Sequence, residues 1–169
     1  MAAGKLSNGH KAMLIAIAIV AVVADQITKW WATQALSEGQ TIPLVGDFIS
    51  LHLIFNPGAA FSLGEGTTWI FTALAIIACV VLPYFVLRMR SALERVAMTF
   101  VWAGAFGNLI DRLFRAPGPG RGHVVDFINY NDWFIGNVAD IELVVAVLVL
   151  VIFQALVGER ADEAQAPKE

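Results

Sequence analysis

Carboxylates beside an apolar run are the residues of this sequence best suited to chemistry. Residues 122–142 read GHVVDFINYNDWFIGNVADIE, with Asp126, Asp132 and Asp140, and the run LVVAVLVLVIFQALV follows at once. Two carboxylates that meet in a low-dielectric cleft cannot both ionise, so that one pKa rises and the pair shares a proton. The ionised member can then take a proton from water while the other acts as the acid, as in aspartic proteases.

The composition predicts an integral membrane protein. Of the 169 residues, 58% are hydrophobic and only 15% are charged, and the mean hydropathy is +0.70. A soluble domain of this length needs more polar surface. The net charge of −3 argues against a nucleic-acid partner, and the single cysteine, Cys79, excludes an internal disulfide and a cysteine-based metal cluster.

Four apolar segments are long enough to cross a membrane as helices. They lie at about 11–36, 68–87, 93–114 and 137–157. The basic start and apolar run of the first segment also fit a cleavable secretory signal, but its helical pattern continues through Asp25 to Leu36, which favours a retained helix. We therefore predict an all-α membrane protein with four transmembrane helices, in one domain over residues 1–158.

The basic residues predict the orientation of the spans. They precede the first span, fill the connection between the second and third, and follow the fourth, whereas segment 36–67 has no Lys or Arg. Both termini should therefore be cytoplasmic, with segments 36–67 and 113–136 outside. Alternation around residues 48–55 predicts a small extracytoplasmic β structure within residues 40–64. Residues 113–122 are expected to form a flexible loop, and 159–169 a disordered cytoplasmic tail.

The polar residues of the spans share one depth, near the outer interface. They are Asp25 and Lys29 on the first span, Asn108, Asp111 and Arg112 at the end of the third, Asp126 in the loop beyond it, and Asn137 and Asp140 at the start of the fourth. Polar groups are costly inside a membrane, and a proton or ion pathway would usually distribute them through its thickness. The shared depth therefore favours a functional site at one level.

Several of these residues also have structural interpretations. Asp25 and Lys29 are spaced as an ion pair on one helix, and Gly104 and Gly107 fit close helix packing. Asn137 and Asp140 fit a helix N-cap and the acidic third residue of the first turn. With these interpretations, the sequence is also compatible with a different class of protein, a small proton-coupled transporter or a lipid-binding scaffold.

A metal site has weak support in the sequence. His123 stands three residues before Asp126, but no second His or Cys is near it in the sequence. Zinc sites need several such ligands, so that we expect no metal and no other cofactor.

Five blocks resemble one known family, the lipoprotein signal peptidases or bacterial type II signal peptidases. The blocks are residues 25–29 (DQITK), 56–61 (NPGAAF), 104–112 (GAFGNLIDR), 124–127 (VVDF) and 137–140 (NVAD). They occur in order across nearly the whole chain, from about residue 12 to 157. The resemblance implies a metal-free intramembrane aspartyl protease of the bacterial cytoplasmic membrane, which cuts lipidated prolipoproteins just before the lipid-modified cysteine.

The resemblance also assigns roles to residues. The catalytic pair falls on Asp126 and Asp140. Substrate-binding or site-lining positions fall on Asn56, Asn108, Arg112 and Asn137, and supporting positions on Asp25, Lys29, Asp111, Gly104 and Gly107. The outer strands correspond to a β-cradle around the substrate, and a monomer among membrane lipids is sufficient.

Three features depart from the family pattern. Segment 113–122 is longer and richer in Gly and Pro than is usual, Gly136 replaces a Phe, and Ala103 replaces a Gly. These departures concern local packing more than chemistry.

Overall fold

The computed structural model describes residues 6–46, 48–58 and 67–165, with side chains to residue 157. Residues 59–61 of the second block lie outside the described residues. The described chain contains helices α1 (Asn8–Ala35), α2 (Thr68–Arg88), α3 (Ala92–Phe114) and α4 (Val138–Gln165). Its strands are β1 (Thr41–Val45), β2 (Ile49–Asn56), β3 (Val124–Tyr130) and β4 (Phe134–Gly136).

Three of the described helices are long and apolar enough to cross a membrane. They are α1, α2 and the 138–157 part of α4. Large apolar side chains point away from the protein on each, with Val20 68%, Val80 72% and Val151 61% exposed. Apolar surface of this extent fits contact with lipid and not with water.

Helix α3 is the central helix of the described bundle. It packs against α1, α2 and α4, whereas α1 and α4 also touch each other. It lacks a comparable apolar window because charged residues stand near both ends, with Glu94 and Arg95 at the start and Asp111 and Arg112 at the end. The central position of α3 brings its polar end between the other helices.

The small sheet confirms the predicted β structure beside the helices but corrects its extent. Its four antiparallel strands are ordered β1-β2-β3-β4, and only β1 and β2 fall within the predicted range 40–64. Asp126 therefore lies on strand β3 and not in a loop. Most of β3 is buried, so that it lacks the alternation by which β2 was found, and its pairing with β2 joins distant parts of the chain.

The sheet is attached to the C-terminal end of α1. Ala32 and Leu36 form a buried apolar cluster with Leu53 of β2 and with Val125 and Phe127 of β3. Burial of these side chains fixes the sheet over the ends of the helices, on the side where the polar residues collect.

Residues 115–122 form a loop after α3, as predicted, and hydrogen bonds hold it to the helices: the Gly122 amide donates to the Arg112 carbonyl at 3.0 Å, and the Thr72 hydroxyl donates to the Gly120 carbonyl at 2.8 Å. The predicted tail needs correction. Helix α4 continues to Gln165, through much of the predicted tail. The tail residues include Ala, Glu and Arg, which favour helix, and they continue a helix that is already formed.

Candidate active site

Strand pairing places Asp126 beside Asn56. The two residues stand on the paired strands β3 and β2. The Asn56 side-chain amide donates to Oδ2 of Asp126 at 2.8 Å, and its own oxygen accepts the Gly58 backbone N–H at 2.8 Å. The turn after β2 therefore orients the amide that holds one oxygen of Asp126.

Asp140 is oriented by the start of its own helix. Asn137 directly precedes α4, and its Oδ1 accepts the Asp140 N–H at 3.1 Å. In return, Oδ2 of Asp140 accepts the Asn137 N–H at 3.0 Å. This reciprocal arrangement is a capping box, as the spacing in the sequence predicted.

Asn137 also joins the two aspartates. Its Nδ2 donates to Oδ1 of Asp126 at 2.6 Å, so that one fully buried residue contacts both carboxylates. The same Nδ2 lies 3.2 Å from Oδ1 of Asn108. Asp126 and Asp140 are thus brought together by a shared neighbour, although they come from a strand and a helix.

Asn108, on α3, is the third asparagine that contacts the pair. Its Nδ2 donates to Oδ1 of Asp140 at 2.9 Å, and its Oδ1 accepts from Nζ of Lys29 at 2.8 Å. Asn56 and Asn108 therefore each donate to one of the two carboxylates, and Asn137 contacts both.

The residues expected to give support form a buried ionic network beneath the pair. Nζ of Lys29 lies 2.9 Å from Oδ2 of Asp25 and 3.0 Å from Oδ2 of Asp111, and all three side chains are fully buried. Oδ1 of Asp25 accepts the Ala139 N–H at 3.1 Å, and Oδ2 of Asp111 accepts the Val125 N–H at 3.2 Å. The network thus ties α1 and α3 to the backbone beside each candidate catalytic residue.

Gly104 and Gly107 allow the helices to approach closely. A Cβ on Gly104 would lie 2.5 Å from the Ala139 carbonyl oxygen, and one on Gly107 would lie 2.5 Å from Oδ2 of Asp25. A larger residue at either position would therefore push α4 or Asp25 away from α3. The close approach brings the polar end of α3 within hydrogen-bond distance of Asp140.

Arg112 lies beside the pair with an unused donor. Its guanidinium is 5.6 Å from the Phe71 ring centroid, and the carboxylate of Asp126 is the one with which its charge interacts most strongly. Within the described residues, its buried Nη1 has no hydrogen-bond partner. A buried donor without a partner is costly, so that a ligand carbonyl would be a favourable partner.

The electrostatics of Asp126 suit proton sharing. Burial and the charge of Asp140 raise the pKa of Asp126, the hydrogen bonds from Asn56 and Asn137 lower it, and the net value is about 7. Near neutral pH the carboxyl is therefore close to half-protonated. Among the described residues no group of three or more His, Cys, Asp or Glu side chains could hold a metal ion.

Asp132 lies apart from the pair. It is exposed in the β3–β4 turn, where both Asn131 and Asp132 have positive φ, and its Oδ1 accepts from Nδ2 of Asn129 at 2.7 Å. Asp132 is therefore a solvent-exposed turn residue and not a member of the pair.

The packing around position 136 explains why a glycine stands there. A Cβ there would lie 2.5 Å from the Phe134 ring and 2.8 Å from Oδ2 of Asp140, so that the glycine leaves room for the capping box. Ala103 is completely buried in α3, and its methyl group is accommodated there.

Sequence reasoning missed two residues that act on the network. Nε2 of Gln26 lies 3.0 Å from both Oδ2 of Asp25 and the Gly107 carbonyl oxygen, and Nε of Arg115 lies 2.6 Å from Oδ1 of Asp111. The spacing of four residues between Asp111 and Arg115 was a usable signal. The sequence contained no such signal for Gln26, because its partner on α3 is distant in the chain.

Comparisons with known proteins agree with this arrangement. The family model of signal peptidase (SPase) II matches residues 17–156. A lipoprotein signal peptidase of Bifidobacterium longum subsp. infantis is 49% identical over 148 residues, which are 88% of this chain and 80% of that protein. One from Mycobacterium tuberculosis is 41% identical over 140 residues, which are 83% of this chain and 69% of that protein.

A solved bacterial membrane enzyme has the same fold. It matches with a TM-score of 0.78 and 29% identity, and the match covers 98% of each chain. The resemblance predicted from the five blocks is therefore confirmed by sequence and by structure. The chain belongs to the signal peptidase II family.

Proposed function

We propose that this chain is an intramembrane aspartyl endopeptidase that removes the signal peptide from diacylglyceryl-modified prolipoproteins. Cleavage occurs just before the lipidated cysteine. The observation that carries the proposal is the contact of Asn137 with both carboxylates, which places Asp126 and Asp140 around one point. Family membership makes the chain a peptidase, so that the transporter and scaffold hypotheses are set aside.

The proposed site lies near the outer leaflet of the bacterial cytoplasmic membrane. In this arrangement α1, α2, α3 and α4 all cross the membrane, and both termini are cytoplasmic. The lipid of the substrate stays in the outer leaflet while its peptide reaches the ends of the helices. The β-sheet then covers the peptide from outside, as the β-cradle of the resemblance implies, and a monomer contains the whole site.

The proposed reaction uses a single shared proton. The ionised Asp140, at the N-terminus of α4, takes a proton from water as the water oxygen attacks the peptide carbonyl. Protonated Asp126 donates its proton to the carbonyl oxygen. Collapse of the tetrahedral intermediate breaks the C–N bond: Asp140 gives its proton to the leaving amine of the lipidated cysteine, and ionised Asp126 takes back a hydroxyl proton from the intermediate. The new carboxylic acid forms, and the pair returns to its starting state.

The neighbouring residues have separable roles in this proposal. Asn56, Asn108 and Asn137 fix the two carboxylates, and Arg112 offers its Nη1 to a substrate carbonyl. Asp25, Lys29, Asp111, Gly104 and Gly107 hold the backbone in place. A fixed pair in a site of low dielectric constant needs little reorganisation during the reaction.

The test compares Asp→Asn variants on one substrate. Asp126→Asn and Asp140→Asn should each reduce cleavage of a diacylglyceryl-modified precursor by at least about a thousandfold, because either change removes a required acid or base. Asp132→Asn is the matched control and should cleave normally. The readout is the mobility shift of the precursor by gel electrophoresis, with each variant shown to be inserted in the membrane.

Near-normal cleavage by either dyad variant would contradict the aspartyl mechanism. Equal cleavage of lipidated and unlipidated precursor would contradict the proposed substrate. Inhibition by EDTA would contradict the metal-free mechanism.

A further inference from the structure

A groove between β2 and the connection from α3 to β3 lies beside the candidate active site but outside it. It has a volume of about 570 Å³ and is lined by Phe55, Arg115, Ala116, Pro117 and His123. Phe55 directly precedes Asn56, and Arg115 directly follows α3. We call it the α3–β3 groove. The proposed peptidase mechanism does not use it.

The polar wall of the groove offers donors and positive charge. Arg115 is bound to Asp111 through Nε, and within the described part of the chain no hydrogen bond reaches its Nη atoms. The stretch from residue 112 to 125 contains three Arg and His123 but no Asp or Glu. Arg121, on this stretch, is exposed. The groove therefore favours an anionic group that accepts several hydrogen bonds.

The other lining residues of the groove, Phe55, Ala116 and Pro117, are apolar. Phe55 is 41% exposed, and neighbouring Phe114, the last residue of α3, is 80% exposed. Aromatic residues at the end of a membrane helix are typical of the interface with the headgroups. A ligand that matches both walls is therefore an amphiphile with an anionic head.

We propose that the α3–β3 groove binds the phosphate headgroup of an anionic phospholipid of the outer leaflet. Arg115 and His123 donate to the phosphate, while Phe55 and Pro117 contact the glycerol backbone and the first methylenes. The exposed Phe114, next to Arg115 in the chain, favours a lipid over an acidic peptide, because exposed aromatic side chains at the end of a membrane helix are typical of the headgroup layer. The proposal depends on this end of α3 lying at the outer surface, and not on the peptidase mechanism.

Histidine ring signals provide a direct test. The protein carries three His, so that the full chain in zwitterionic micelles can be labelled with ring-¹⁵N histidine, and His10 and His52 serve as internal controls. The probes are dihexanoyl-phosphatidylglycerol, dihexanoyl-phosphatidylcholine and inorganic phosphate. The His123 signals should shift saturably with the glycerol lipid, with an affinity at least about tenfold higher than for the choline lipid or phosphate.

The results separate the possible ligands. Equal affinity for the two lipids, or no shift of His123 with either, overturns the proposal. Phosphate that binds as tightly as the anionic lipid assigns the site to free phosphate and also overturns it. A peptidase that fails the Asp→Asn test can still bind the lipid, so that the two proposals fail independently.

A variant measured by mass spectrometry provides a second readout. His123→Gln should weaken retention of the anionic lipid by about fivefold in native mass spectra, because one charge-assisted donor is lost. His10→Gln is the control and should retain the lipid. Arg115→Gln also loses the bond to Asp111 and can misfold, whereas His123→Gln leaves that network in place. Unchanged retention by His123→Gln overturns the proposal.

Discussion

Replacement of Asn137 by Ser separates its two functions. The Ser hydroxyl is also a good N-cap acceptor, so that the first turn of α4 keeps its cap. It lacks the amide that donates to Oδ1 of Asp126 at 2.6 Å. Asn137→Ala loses both the cap and the amide. The pair of variants therefore distinguishes loss of the cap from loss of the bridge between the carboxylates.

The expected magnitudes follow from these contacts. Loss of an N-cap costs about 1 kcal/mol, so that Asn137→Ala should be less stable than Asn137→Ser by about that amount. A hydrogen bond to a charged group contributes about 1.5–3 kcal/mol, which corresponds to a tenfold to hundredfold fall in kcat for both variants. The bond from Asn137 also lowers the pKa of Asp126. Its removal should therefore move the alkaline limb of the pH–activity profile to higher pH.

The assay is cleavage of a lipidated precursor across pH 5–9, together with thermal unfolding in detergent. Asn131→Ser, in the exposed β3–β4 turn, is the matched control. Wild-type kcat in Asn137→Ser would refute the bridging role. An unchanged alkaline limb would refute the electrostatic argument, and equal stability of the Ser and Ala variants would refute the capping argument.

Three further predictions concern the support of the site. Lys29→Met should destabilise the protein by about 3–5 kcal/mol in thermal unfolding, because it leaves buried Asp25 without a cation and Asp111 with Arg115 alone. A loss of less than about 1 kcal/mol would contradict this. Gly104→Ala should cost about 1–3 kcal/mol and reduce activity, whereas Gly9→Ala, which meets only one side-chain oxygen at 3.9 Å, should have neither effect. The raised pKa of Asp126 means that folding favours its protonated form, so that the stability it contributes is lost between about pH 4 and 7. Asp126→Asn should therefore gain stability relative to wild type as pH rises through this range, and a constant difference in melting temperature would contradict the raised pKa.

Residues on helices were predicted well from the sequence. The spacing of four residues on α1 predicted the ion pair between Asp25 and Lys29, and the spacing of three predicted the capping box of Asn137 and Asp140. Both are local patterns that helix geometry repeats in any protein. The common depth of the polar residues followed from helix rise alone.

Contacts between distant segments were not predicted. Strand β3 was taken for a loop, because it is mostly buried and pairs with a strand that lies far earlier in the chain, from Asn56 opposite Val124 to Ile49 opposite Tyr130. The hydrogen bond between Asn56 and Asp126 follows from that pairing and had no local signal. Likewise, the approach of Lys29 to Asp111 depends on how α1 packs against α3.

Gly58, in the turn after β2, is buried against Phe71 of α2. Gly58 has φ +114°, and a Cβ there would lie 2.6 Å from the ring of Phe71. The guanidinium of Arg112 on α3 lies 5.6 Å from the centroid of the same ring. A natural variant with a larger residue at position 58 would therefore displace the ring and with it the cation beside Asp126. Such a variant would alter substrate affinity or inhibitor resistance without changing any residue that touches the scissile bond.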